Sequence, residues 1–140
     1  MFQQLNKYSD FGLLFLRLAV GAIFIVHGLQ KLAMWNMAPN AQMGAGALLL
    51  MKLLSIIEPL AGLALVLGIG LNLAALVLAF IMLGAILMKI FVFKVGFIAL
   101  QATGWELDLA LLAANLVLLL GGGGKLALGK NNRRSQSDAQ

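Results

Sequence analysis

The sequence contains no cysteine and a single histidine in 140 residues. Without a thiol it can build no disulfide framework, zinc–thiolate site, thiolate-held iron–sulfur cluster or dithiol relay. Redox work would therefore need a bound cofactor or a partner, and a lone histidine argues against haem. Charge is almost as scarce, with Lys, Arg, Asp and Glu together making up 11% of the chain. A soluble domain usually carries about 25%, because its surface faces water. Hydrophobic residues supply 62% of the chain, and the mean hydropathy is +1.00. This composition suits lipid as solvent.

The net charge of +5 does not indicate a nucleic-acid partner. Basic residues are scattered singly rather than gathered on a stripe with aromatics between them. The exception is Lys125, Lys130, Arg133 and Arg134. They follow an apolar segment, as juxtamembrane residues do.

Four long apolar stretches divide the chain. A polar lead over 1–10 precedes a first helix expected at 11–31, too long for a signal-peptide core. Residues 32–46 hold Trp35, Asn36, Pro39 and Asn40 and read as a connection, with Trp35 at headgroup level. A second helix is expected at 47–67, a tight turn at 68–70 and a third helix at 71–93. A fourth, over 105–120, opens with Trp105, Glu106 and Asp108. Gly121–Gly124 breaks it, and a basic tail over 129–140 has little to bury and reads as disordered. About 20 residues span the ~30 Å hydrocarbon layer. The expected fold is all-α, a polytopic bundle of four transmembrane helices. Four crossings put both termini on one face, and the basic residues there favour the cytoplasm.

Ionisable residues inside the apolar stretches carry the chemical information, since each costs ~2.5–3.5 kcal/mol near the bilayer centre. Such groups turn inward and find partners. Counting from the expected helix ends puts Arg17 ~9 Å and Glu58 ~14 Å from the terminal face. An Arg17–Glu58 ion pair between the first two helices is therefore expected. The alternative has Arg17 reaching back to the headgroups. Towards the other face, His27 and Lys31 lie one turn apart, Lys89 closes the third helix, and Asp108 sits inside the fourth. Asp108 pairs with Lys89 or Lys31 as first candidates. Together with Glu58, the residues His27, Lys31, Lys89 and Asp108 outline a polar cleft; the competing reading is a set of independent interfacial anchors. Glu106 suits a helix-capping role, and Trp35 and Trp105 an interfacial one. No metal-ligand cluster is evident.

Three segments together resemble the DoxX family. They are Leu16-Arg17-Leu18-Ala19-Val20-Gly21 with His27-Gly28-Leu29-Gln30-Lys31, Glu58-Pro59-Leu60-Ala61-Gly62 with Leu67-Gly68-Ile69-Gly70, and Gly104-Trp105-Glu106-Leu107-Asp108-Leu109-Ala110. The resemblance runs over 11–128 and implies a four-helix protein of the bacterial inner membrane. It carries the family's polar positions onto Arg17, His27, Lys31, Glu58 and Asp108. Asn72 stands where many relatives have a basic residue, which weakens the cytoplasmic bias of the termini.

The resemblance also implies a link to membrane redox systems, with quinone or small sulfur species as the molecules handled and other subunits as partners. Two further readings stay open. One is a non-catalytic assembly or tethering protein whose buried charges fix helix register. The other is a small-solute transporter, which four helices would serve only as a homo-oligomer.

Overall fold

The computed structural model describes residues 2–40, 43–99, 103–124 and 126–129. The sequence folds into four α-helices: α1 (Phe2–Lys31), α2 (Ala45–Leu67), α3 (Leu71–Leu87) and α4 (Trp105–Gly121). No strand occurs among the described residues. Three helical segments, Tyr8–Asn36, Ala45–Leu67 and Leu71–Val92, are long and apolar enough to cross a membrane. At 17 residues α4 is shorter. The protein is an all-α, multi-pass membrane bundle.

Local sequence explains the elements. The polar residues expected to precede the first helix are themselves helical, since α1 starts at Phe2. After Lys31 the chain tightens into a 3₁₀ turn, Leu32–Asn36. α2 ends in a Schellman motif: Gly68 takes φ 71°, its N–H donates to Leu65 O at 3.1 Å, and Ile69 N–H donates to Ala64 O at 3.1 Å. With Gly70 also left-handed at φ 57°, α3 starts at once and runs antiparallel to α2. The expected third helix over 71–93 is α-helical only to Leu87. A π-helical turn, Met88–Val92, then widens the backbone. The tail beyond residue 129 lies outside the described residues.

Packing divides the bundle into two hairpins. α1 lies closely along α2, and α3 along α4, while α2 and α3 touch less. The close approach of α1 to α2 depends on Gly21 and Gly62. A Cβ on Gly21 would meet Gly62 O at 2.6 Å, and one on Gly62 would meet Gly21 O at 2.7 Å. Farther along the same contact, Gly28 makes room for the ring of Pro59 inside α2, whose Cδ a Cβ there would meet. The apolar core, including Val20, Phe24, Leu65, Leu78, Leu111 and Leu118, fills the half of the bundle nearer the termini. Large apolar side chains such as Phe15, Leu73 and Leu120 face outward, as a lipid solvent requires.

Candidate functional site: an ion-paired cavity between the hairpins

Helix register decides which charges meet. With Gly21 against Gly62 and Val66, antiparallel α1 and α2 bring Arg17 level with the Gly68 turn and Glu58 level with the end of α1. The expected Arg17–Glu58 pair is therefore not formed. About nine residues of α2 separate the level of Arg17 from Glu58, or ~14 Å at the helical rise. The expectation took residue 11 as level with Leu67, whereas α1 runs on past the Gly68 turn, so Arg17 was set too deep.

Glu58 pairs with Lys31. The Glu58 side chain is 2% exposed and that of Lys31 21%, so the carboxylate lies inside and the ammonium reaches it from the helix end. Arg17, buried at 1%, binds backbone instead. Its Nη1 donates to Gly123 O at 3.0 Å and its Nη2 to Leu126 O at 3.4 Å. The glycine-rich segment after α4 folds over the guanidinium and is fastened to the α2–α3 turn. Leu128 N–H donates to Leu67 O at 3.3 Å and Gly129 N–H to Gly68 O at 2.9 Å.

The second hairpin has a counterpart pair. Lys89 Nζ lies 2.6 Å from Asp108 Oδ2 and donates a hydrogen bond to Gly104 O at 3.1 Å. The π-helical turn carries Lys89, and the first turn of α4 carries Asp108. In both hairpins a lysine late in the first helix meets a carboxylate of the second.

Both pairs border one cavity of about 470 Å³. This lies within the range of small-molecule sites, roughly 300–1,000 Å³. Its polar lining comes from His27, Lys31, Glu58, Lys89, Thr103 and Asp108, and its apolar lining from α2, α3 with its π-helical turn, and α4, Leu54, Phe80, Met88 and Leu107 among them. His27 is half-buried there and makes no side-chain hydrogen bond among the described residues. It is the one polar ring among the described lining residues.

The remaining sequence candidates fall around this cavity. Trp35 is half exposed, but its indole N–H donates to Ser55 Oγ at 2.8 Å, and Ser55 donates to Lys52 O at 2.7 Å. The indole therefore ties the 3₁₀ turn to α2 while its ring remains at the rim. Trp105 packs edge-on against Phe97, with ring centroids 4.5 Å apart. Glu106 makes no side-chain cap of α4: its backbone N–H donates to Phe97 O at 3.3 Å, and its Oε2 is buried without a hydrogen bond. Ser55 and Asn115 escaped the sequence reading. Asn115 is fully buried on α4 and donates to Leu111 O at 2.8 Å. The available signal was an amide within an apolar helix, which seeks a buried partner.

The DoxX family profile matches residues 12–95, more than half of the 140 in the chain. The chain belongs to the DoxX family. No curated protein and no solved structure matches it. The matched DoxX region contains Arg17, His27, Lys31, Glu58 and Lys89, whereas Asp108 and the rest of α4 lie beyond it. One ion pair of the cavity is thus wholly within the DoxX region, and the other joins that region to the fourth helix.

Proposed function

We propose that this DoxX protein is a membrane subunit of a redox-linked complex and that its cavity holds the head of a quinone or a small sulfur species. The observation that carries the reading is the cavity itself. A ~470 Å³ apolar space is closed at its polar end by two ion pairs and by His27, a ring free to donate or accept one hydrogen bond. A quinone head needs such surroundings: an apolar slot with a few hydrogen-bonding groups. Lysine ammoniums at the Lys31 and Lys89 positions are donors to a carbonyl oxygen, and the carboxylates hold those ammoniums in place. A bound quinone would supply the electron-carrying chemistry that a chain without cysteine lacks.

In this reading the protein resides in the bacterial inner membrane with both termini in the cytoplasm, and its redox partners are other subunits. The test is purification from native membranes in mild detergent, followed by mass spectrometry of the extracted small molecules. Quinone should co-purify with the wild type and fall several-fold in His27→Gln. Quinone no higher than on an unrelated membrane protein of similar size would overturn the reading. Reporter fusions at either end test the orientation, and periplasmic activity of a C-terminal reporter would reverse it.

The two ion pairs also favour a second reading, a tethering protein in which charge fixes helix register. Charge-pair variants would then lower abundance, whereas His27→Gln would change nothing measurable.

A further inference from the structure

The cavity has a direction. Its polar groups lie at the end of the bundle away from the termini: Lys31 ends α1, Lys89 sits in the π-helical turn, and Asp108 opens α4. Its lining also reaches back along α3 to Phe80. Phe80 is nine residues past Leu71, or ~14 Å along the helix, close to the middle of a ~30 Å hydrocarbon layer. There Phe80 is 65% exposed, and Gly84, one turn on, is exposed as well. Across the gap Leu50 of α2 is 40% exposed. This seam lies between the hairpins, where α2 and α3 pack less closely than the helices within each hairpin. A Cβ at Gly84 would meet no heavy atom within 4 Å, so the glycine leaves open space rather than allowing close helix contact.

The charges of the lining are balanced. Lys31 is matched by Glu58 and Lys89 by Asp108. An anion entering here would have to break a pair, whereas an uncharged polar group can take up spare donors and acceptors without doing so.

We propose that the cavity opens sideways into the lipid through the α2–α3 seam at Gly84 and Phe80, and that it takes an amphiphile with an uncharged polar head and an apolar tail. The head lies against the two ion pairs, and the tail leaves at mid-membrane past Phe80. The ligand thus lies along the bilayer normal, as a lipid of that leaflet does, and arrives from the membrane rather than from water. This inference rests on the assignment of the cavity as a ligand site and is independent of any redox role.

The test uses the full chain in liposomes with a long-chain alkyl alcohol bearing a photoreactive diazirine. Labelled peptides are mapped by mass spectrometry in the wild type and in Gly84→Phe. Wild-type labelling should include the cavity-lining segments around Met51 and Met88, with a several-fold loss in Gly84→Phe and an unchanged thermal midpoint. Gly84→Ala, which leaves the seam open, should label as the wild type does. Equal labelling of the cavity segments in Gly84→Phe would overturn the sideways route. Absence of wild-type labelling at those segments would overturn the amphiphile itself. Either result leaves the redox assignment to the separate quinone analysis.

Discussion

Removing one member of the Lys31–Glu58 pair should hurt more in one direction than in the other. In Lys31→Met the Glu58 carboxylate stays where it is, 2% exposed and on the inner face of α2. Loss of one partner from a buried ion pair costs about 3–5 kcal/mol, because the other charge is left uncompensated. With tenfold per 1.4 kcal/mol, the folded-to-unfolded ratio should fall about a hundredfold to several-thousandfold. In Glu58→Gln the orphan is Lys31, whose side chain is 21% exposed and which ends its helix. Its flexible stem can carry the ammonium out to the interface, so the loss should be at most half as large. Denaturant titration of protein in detergent micelles, followed by tryptophan fluorescence, measures both. The exchange Lys31→Glu with Glu58→Lys should recover most of the loss, and Arg17→Glu with Glu58→Arg should recover none. Equal losses in the single variants, or rescue by the second exchange, would refute the assigned pairing.

Three further outcomes are expected. Arg17→Leu removes charge-assisted bonds to two carbonyls, each contributing about 1.5–3 kcal/mol; limited proteolysis within 122–129 should accelerate, and unchanged cleavage would mean the guanidinium does not hold that segment. Gly21→Val forces a side chain against Gly62 O and Val66, where a Cβ already comes within 2.6 Å; overpacking should cost about 1–3 kcal/mol, seen as a lower thermal midpoint, with Gly84→Ala as the neutral comparison. His27→Gln removes no side-chain hydrogen bond among the described residues, so its stability should stay within about 0.5 kcal/mol of the wild type; a larger drop would reveal a structural role for the imidazole.

The fold was largely legible because a lipid solvent imposes a simple rule. Apolar stretches of bilayer length, punctuated by Gly68–Gly70 and Gly121–Gly124, mark the helices. That Glu58 and Asp108 must face inward follows from the same rule. The partner of Glu58 was not legible, because it depends on how far α1 slides along α2. That register is set by a backbone contact at Gly21 and Gly62, and hydropathy carries no trace of it. The fate of Arg17 was hidden for a related reason. Its acceptors are main-chain carbonyls of Gly123 and Leu126, and every residue has such an acceptor. The end of α1 was misplaced because polar residues such as Gln3, Gln4 and Asn6 look like a lead, and hydropathy alone does not separate a polar helical turn from a polar loop.

The bond between Arg17 and the segment after α4 has a consequence for biogenesis. Arg17 lies in α1 and its acceptors lie after α4, so the residue is synthesised well before the carbonyls that bind it. While the intervening helices are still being made, the guanidinium lacks these two acceptors. Closure of the glycine segment over it therefore has to follow synthesis of α4.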